Sequence, residues 1–261
     1  MPAVRRDALP AYRPVMRIAV AGGTGWTGRL VVDALREAGD ETVVLARSTG
    51  VDVTTGAGLA ERLEGVDVLV DVTNVTAMRA GPSVEFFEAA TTNLLAAERA
   101  AGVGHHVALS IVGVDRVGFG YYLGKRRQEE LVLQGPVPAT VLRATQFHEF
   151  AAQMLERMGR LVLAPRMLSQ PIAVAEVAAH LVDLVHEPPA GMAPELAGPD
   201  VQEMPDMIRR VARAHGDRRL VIPVGLPGKV GRGFAGGGLL PTGPGPRGTV
   251  TFEEWLATQH R

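Results

Sequence analysis

The sequence contains no cysteine among its 261 residues. Disulfide bonds, thiol catalysis and zinc sites built on thiolates are therefore excluded, and we expect a reducing compartment, the cytoplasm. Charge of one sign is lacking as well, since 27 lysine and arginine residues nearly balance 28 aspartate and glutamate residues. This balance gives no electrostatic reason to expect capture of nucleic acid or of an anionic membrane surface.

Long apolar runs are also missing. No stretch reaches the length of about 18 apolar residues that a membrane helix needs. Residues 1–16 contain arginines and prolines but not the apolar segment of a signal peptide. We expect residues 1–16 to be a disordered extension and residues 17–261 to form a single domain.

The polar residues offer no pattern typical of metal sites or of hydrolases. The seven histidines lack ligand spacing, because His105 and His106 are adjacent and His180 and His186 do not form an HxxxH pair. We therefore predict no metal. The GxSxG nucleophile motif is absent, which argues against a hydrolase. Aromatic residues make up only 5% of the chain, and this low content does not indicate any class of substrate.

Short apolar runs alternate with helical patterns through the first 150 residues. Predicted strands lie at 17–23, 41–48, 51–55, 66–74, 105–113 and 139–147, and predicted helices at 25–40, 58–65, 83–103 and 121–136. Strand and helix in alternation, with short links, indicate right-handed βαβ units. The predicted fold class is α/β, a Rossmann-type doubly wound parallel sheet with helices on both faces.

The pattern loosens after residue 150. Helices are predicted at 171–187, 204–216 and 251–259, with a strand at 219–224. Residues 225–248 are rich in glycine and proline, which is typical of a functional loop or a disordered one. We expect residues 147–261 to form a smaller C-terminal region that packs onto the same sheet and supplies most of the substrate site.

Three glycines mark the first turn between strand and helix. Gly22, Gly25 and Gly28 lie in "GGTGWTGR", where a tight turn needs positive φ and a pyrophosphate needs backbone without a Cβ nearby. The following helix offers free N–H groups to phosphates. The alternative is a plain glycine turn. We predict a dinucleotide site that includes the three glycines and their neighbours Thr24, Trp26 and Thr27.

The stretch "GGTGWTGR" resembles the short-chain dehydrogenase/reductase superfamily, in particular its atypical, NmrA-like NAD(P)-binding branch. The resemblance covers about residues 17–200, and "DVTN", "ALSIVG", "YYLGK" and "ELAGPD" follow in the expected order. It implies an NAD(P) cofactor bound by the glycine turn.

The end of the second strand bears on the choice of cofactor. NAD enzymes often carry an acidic residue there, whereas an arginine suits the 2′-phosphate of NADP. Arg47 and Ser48 occupy that place, and the next acid is Asp52. We therefore favour NADP(H) over NAD(H), the alternative being that Arg47 is a solvated strand end. The resemblance suggests that Asp52 contacts the adenine amino group.

Other predicted contacts lie at the carboxyl ends of later strands, where cofactors bind to such sheets. They are Thr73, Asn74, Thr145, Gln146 and Phe147, the last three by resemblance. His148 and Phe150 follow directly, and they either line a substrate pocket or pack in the core.

The resemblance also implies a catalytic trio. In the superfamily a tyrosine donates a proton, a lysine lowers the pKa of that tyrosine and holds the nicotinamide ribose, and a serine positions the substrate oxygen. Ser110 lies on a predicted strand, and Tyr121 and Lys125 are four residues apart, so they share one helix face. Tyr122 is an alternative donor. Phe87 stands where many members of the family carry a catalytic asparagine.

These observations lead to one functional hypothesis and two alternatives. We expect an NADPH-dependent oxidoreductase that reduces a carbonyl or related unsaturated group on a small organic molecule. The alternatives are a non-catalytic NADP(H)-binding regulator and an NAD(P)-dependent epimerase or dehydratase. The expected partner is the small-molecule substrate, with a homodimer as an open alternative.

Overall fold

The computed structural model of the protein describes residues 14–259. The predicted extension at 1–16 therefore lies, up to residue 13, outside the described residues. The strands are β1 Arg17–Ala21, β2 Glu41–Leu45, β3 Val68–Asp71, β4 His105–Ile111, β5 Ala139–Ala144, β6 Leu161–Pro165, β7 Leu168–Ser169, β8 Gly191–Met192, β9 Gln202–Glu203 and β10 Leu220–Val224.

The helices are distributed along the whole of the described chain. They are α1 Trp26–Glu37, α2 Leu59–Arg62, α3 Ala80–Ala101, α4 Gly120–Leu133, α5 Glu149–Arg157, α6 Val174–His186, α7 Met204–Ala214, α8 Gly228–Ala235 and α9 Phe252–Thr258. Among residues 14–259, no helix combines the length and apolar character needed to cross a membrane.

The central sheet has six strands in the order β2-β1-β3-β4-β5-β8, and every neighbouring pair is parallel. Helices α1 and α6 pack on one face, whereas α2, α3 and α4 lie on the other. The inner strands are apolar and buried over nearly their whole length, as expected for a parallel sheet covered on both faces. The predicted Rossmann-type fold is confirmed.

One predicted strand is wrong. Residues 51–55 form a turn, in which the Asp52 carboxylate accepts hydrogen bonds from the backbone N–H and the hydroxyl of Thr54. An aspartate side chain that bonds to backbone two residues later competes with strand pairing. The later strands at 66–74, 105–113 and 139–147 are therefore the third, fourth and fifth strands of the chain.

The C-terminal region contains more regular structure than the sequence indicates. Helix α5 and strands β6, β7 and β9 were not predicted, and α8 lies within the glycine- and proline-rich segment 225–248. Strand β6 pairs with β10, and β7 pairs with β9, in two small sheets beside the central one. Helices α5, α7 and α9 pack against them in an apolar core of their own.

Candidate functional site

The glycine turn joins β1 to α1. Gly22 has a φ of +81°, and a Cβ there would lie 3.0 Å from the carbonyl oxygen of Val72. A Cβ on Gly28 would lie only 2.1 Å from the carbonyl oxygen of Gly22, and one on Gly25 would lie 3.1 Å from it. Gly25 is the N-cap of α1, and no side-chain hydrogen bond caps the first N–H groups of that helix. The turn thus leaves helix donors and bare backbone for a phosphate group.

The outer side of this turn faces the end of β5. Thr24, Gly25 and Trp26 are exposed. The Trp26 ring lies 6.5 Å from the ring of Phe147, measured between centroids. The fold therefore brings together two predicted cofactor residues that are far apart in the sequence.

The end of β2 presents exposed polar side chains. Arg47 and Ser48 are exposed in a short turn directly after the strand, and Arg47 forms no ion pair within residues 14–259. Asp52 is committed to Thr54, whose hydroxyl and N–H hold the pKa of that carboxyl below its usual range. The guanidinium of Arg47 is available to an anion, whereas a contact of Asp52 with adenine stays a prediction.

The end of β3 lies directly against the glycine turn. Asp71 is fully buried, and its carboxylate accepts from the Thr73 N–H at 2.9 Å and from Gln128 Nε2 at 2.6 Å. The carboxylate thereby fixes the chain as it leaves the strand and ties it to α4. The Thr73 hydroxyl oxygen is buried without a hydrogen-bond partner among the described residues. Such an orphaned polar atom fits a site that a polar ligand completes.

The side chain of Tyr121 meets the same segment from α4. Its hydroxyl donates to Asn74 Oδ1 at 2.7 Å, and its ring packs edge-on against Phe87 at 5.9 Å between centroids. Burial raises the pKa of the phenol well above its ordinary value of 10.0. Tyr121 is thus a neutral hydroxyl bonded to Asn74, which lies two residues after Val72, the residue whose N–H donates to Ala21 beside the glycine turn.

Lys125 lies one turn further along α4. Its side chain is only 3% exposed, and Nζ donates to the carbonyl oxygen of Leu109 at 2.5 Å. Nζ also lies 4.8 Å from the centroid of the Phe87 ring. Burial lowers the pKa of this amine from 10.5 to about 8. A buried lysine with a lowered pKa is typical of functional sites.

Ser110 has a different environment from the other two members of the predicted trio. Its hydroxyl donates to Glu129 Oε1 at 2.5 Å, and Glu129 forms a two-pronged ion pair with Arg143. The structure pairs Ser110 with that ion pair and not with Tyr121. Tyr122 likewise turns away, since its buried hydroxyl accepts from Gln146 Nε2 at 3.2 Å.

Three further predicted residues are engaged in packing. The Thr145 hydroxyl donates to the carbonyl oxygen of Gln170 at 2.6 Å. His148 is 1% exposed, with Nε2 at 2.9 Å from the carbonyl oxygen of Val250, and Phe150 packs in the C-terminal core. This geometry favours the packing alternative for His148 over a pocket wall.

Two of the residues that hold the site together were not singled out from the sequence. Asp71 ends a buried strand, and an acidic residue at the end of an apolar run can be recognised in the sequence as a candidate for the site. Gln128 lies three residues after Lys125, a helical spacing that places both on one face. No cluster of three or more His, Asp or Glu side chains suited to a metal was found within residues 14–259.

Solved structures share the fold over nearly the whole chain. An NADPH-dependent quinone oxidoreductase (QOR2) of Escherichia coli, solved with NADPH, has a TM-score of 0.69 and 20% identity, covering 94% of this chain and 100% of that one. A short-chain dehydrogenase/reductase superfamily protein of Agrobacterium tumefaciens with bound NAD has a TM-score of 0.67 and 18% identity, covering 93% of this chain and 95% of that one. A UDP-N-acetylglucosamine 4-epimerase of Bacillus cereus has a TM-score of 0.66 and 16% identity, covering 94% of this chain and 96% of that one.

The sequence comparisons identify the family of the chain. No curated protein matches the chain, whereas a family model described as NAD(P)H-binding matches residues 22–188. That range begins at the glycine turn and includes Tyr121 and Lys125. The resemblance to the NAD(P)-binding superfamily is thereby confirmed, and the NmrA-like branch stays a prediction. The chain belongs to the NAD(P)H-binding family.

Proposed function

We propose that this chain is an NADPH-dependent oxidoreductase that reduces a carbonyl group, or a related unsaturated group, on a small organic molecule. One observation carries the proposal. The Val72 N–H donates to the carbonyl oxygen of Ala21, the residue before the glycine turn, at 3.0 Å, and Asn74, two residues after Val72, accepts from the hydroxyl of Tyr121. A candidate proton donor therefore lies beside the candidate cofactor site.

The residues of the turn fit a dinucleotide. The bare backbone at Gly22 and Gly25, the uncapped start of α1 and the orphaned Thr73 hydroxyl supply the phosphate and ribose contacts. The exposed guanidinium of Arg47 suits a 2′-phosphate, which supports NADPH over NADH. The Escherichia coli quinone oxidoreductase of the same fold, solved with NADPH, is consistent with this choice. When bound, NADPH supplies the hydride.

The protein supplies the proton. Burial keeps Tyr121 as a neutral hydroxyl that can donate to the substrate oxygen as negative charge develops there. Lys125, one turn away, carries a positive charge below a pKa of about 8 and favours the tyrosinate that remains after donation.

Replacement of Tyr121 by Phe tests this role, because it removes the hydroxyl and leaves the ring against Phe87. With NADPH and a panel of aldehydes, ketones and quinones, we expect turnover to fall by about 10²-fold or more. The dissociation constant of NADPH should stay within about twofold, since the tyrosine hydroxyl is not assigned to cofactor binding. Tyr122→Phe is the matched control, and it should change turnover little.

Two results would contradict the proposal. Full turnover by Tyr121→Phe would show that another group supplies the proton. NADPH binding without oxidation of the cofactor by any member of the panel would favour the non-catalytic regulator. Calorimetry measures NADPH binding by the parent protein and by Tyr121→Phe, so that a loss of cofactor affinity is not mistaken for a loss of the chemical step.

A further inference from the structure

Asn74 is the polar side chain that contacts the hydroxyl of Tyr121. We propose that Asn74 is the positioning residue of the proton donor, holding the hydroxyl of Tyr121 in a fixed direction from the loop after β3. This inference rests on the proposed function and deepens it. It assigns to Asn74 a role toward Tyr121, beyond the cofactor contact that its place at the sheet edge predicts.

The direction of the hydrogen bond follows from a third group. Asn74 Oδ1 accepts from the Val75 N–H at 2.8 Å and from the Tyr121 hydroxyl at 2.7 Å. A backbone N–H can only donate, so the amide atom that faces it is the oxygen. The hydroxyl of Tyr121 must therefore donate to that oxygen, and its proton points towards Asn74.

Helix α3 does not provide such a partner. Phe87 is fully buried under the Tyr121 ring and presents only its aromatic edge or face to both Tyr121 and Lys125. An aromatic ring fixes the plane of the tyrosine by packing but leaves rotation of the O–H bond free. The amide of Asn74 removes that freedom, and the Asp71 carboxylate anchors the loop from which it projects.

The contact also acts on the protonation state of Tyr121. A hydrogen bond in which the phenol donates favours its neutral form, which adds to the effect of burial. Asn74 itself is exposed, so a substrate carbonyl that approaches the cleft competes with the amide oxygen for the same proton. The hydroxyl is thereby ordered before the substrate binds, and a substrate oxygen receives the proton by replacing the amide oxygen as its acceptor.

Two substitutions with opposite effects test the proposal. Asn74→Asp has nearly the same shape, keeps the acceptor and adds a negative charge, whereas Asn74→Ala removes the acceptor and admits water. The probe is tetranitromethane, which nitrates tyrosinate, with the modified position found by peptide mass spectrometry. Thr76→Ala is the control, since Thr76 is an exposed residue of the same loop. The neighbouring Tyr122, bonded to Gln146, serves as an internal reference.

We expect nitration of Tyr121 to be at least about tenfold slower in Asn74→Asp, because the carboxylate repels tyrosinate. It should be about tenfold faster in Asn74→Ala, with Tyr122 unchanged in both variants. Turnover of the best substrate by Asn74→Ala at saturating NADPH should fall about tenfold, because saturation removes any effect of a weaker cofactor contact. A purely structural role would not move nitration in opposite directions.

Equal nitration of Tyr121 in the parent protein and in Asn74→Asp would overturn the proposal, as would loss of NADPH affinity in Asn74→Ala without loss of turnover at saturation. The isosteric aspartate keeps the test decisive if the alanine variant does not fold. If Tyr121 is nitrated more slowly in Asn74→Asp and faster in Asn74→Ala, but the parent protein oxidises no NADPH, then the proposed function fails. The positioning of the Tyr121 hydroxyl by Asn74 is supported in that case.

Discussion

Replacement of Lys125 by methionine should stabilise the fold while it weakens function. The chain has two lysines, and the second, Lys229, is exposed. Lys125 is 3% exposed, its ammonium donates to the Leu109 carbonyl and lies over the Phe87 ring, and the charges of Asp71 and Glu129 only partly offset the cost of its burial. Methionine is of similar length and carries no charge, so the substitution removes the cost of burying that charge.

The size of the effect follows from the pKa of the amine. A fall from 10.5 in the unfolded chain to about 8 in the folded one corresponds to about 3 kcal/mol of destabilisation by the buried charge. Loss of the hydrogen bond to Leu109 offsets about 1 kcal/mol. We therefore expect Lys125→Met to raise the free energy of unfolding by about 2 kcal/mol at pH 7.

The same pKa shift also predicts how the effect changes with pH. Below pH 8 the amine is charged in both states, and the cost is fully present. Between about 8 and 10.5 the unfolded chain binds more protons than the folded one, so the stability of the parent protein rises with pH relative to the variant. The gap between the two proteins should close as the pH approaches 10.5.

Urea unfolding at several pH values measures this gap, with Lys229→Met as the control that should change neither stability nor its pH dependence. The same Lys125→Met protein should bind NADPH more weakly in calorimetry, as the resemblance to the superfamily implies. A methionine variant that is less stable than the parent protein at pH 7, with a gap independent of pH, would refute the argument from desolvation.

The glycine turn and the end of β2 allow two further tests. Arg47→Ala should remove most of the preference for NADPH over NADH, a charge-assisted contact worth roughly 1.5–3 kcal/mol, and equal affinities in the parent protein would contradict this. Gly25→Val should abolish cofactor binding in calorimetry but leave a folded protein, whereas Gly28→Ala should lower the melting temperature because its Cβ would lie 2.1 Å from the Gly22 carbonyl oxygen. Gly159→Ala is the control for open space, since no atom beyond its chain neighbours lies within 4 Å of its Cβ position and its φ is not positive.

Much of the architecture was predictable because it depends on local periodicity. Apolar runs identify buried parallel strands, and the spacing of Tyr121 and Lys125 places them on one helix face whatever surrounds them. The strand expected at 51–55 failed because β-branched residues favour strands only when a neighbour pairs with them, and Asp52 closes a turn there instead.

The site depends on neighbours that no local pattern specifies. Tyr121 and Asn74 are 47 residues apart, and His148 and its partner Val250 are 102 apart. Ser110 lies on the strand that the resemblance requires, yet its hydroxyl bonds to Glu129. Each partner is set by which strand lies beside which helix.

The sequence by itself determined the order of strands and helices, the glycine turn and the helix face shared by Tyr121 and Lys125, because the geometry of the backbone imposes these over a few residues. Only the tertiary structure decided that Asn74 accepts a hydrogen bond from the hydroxyl of Tyr121 and that the C-terminal segment covers His148. Those contacts join distant segments, and their partners are chosen by packing of the whole sheet and its helices.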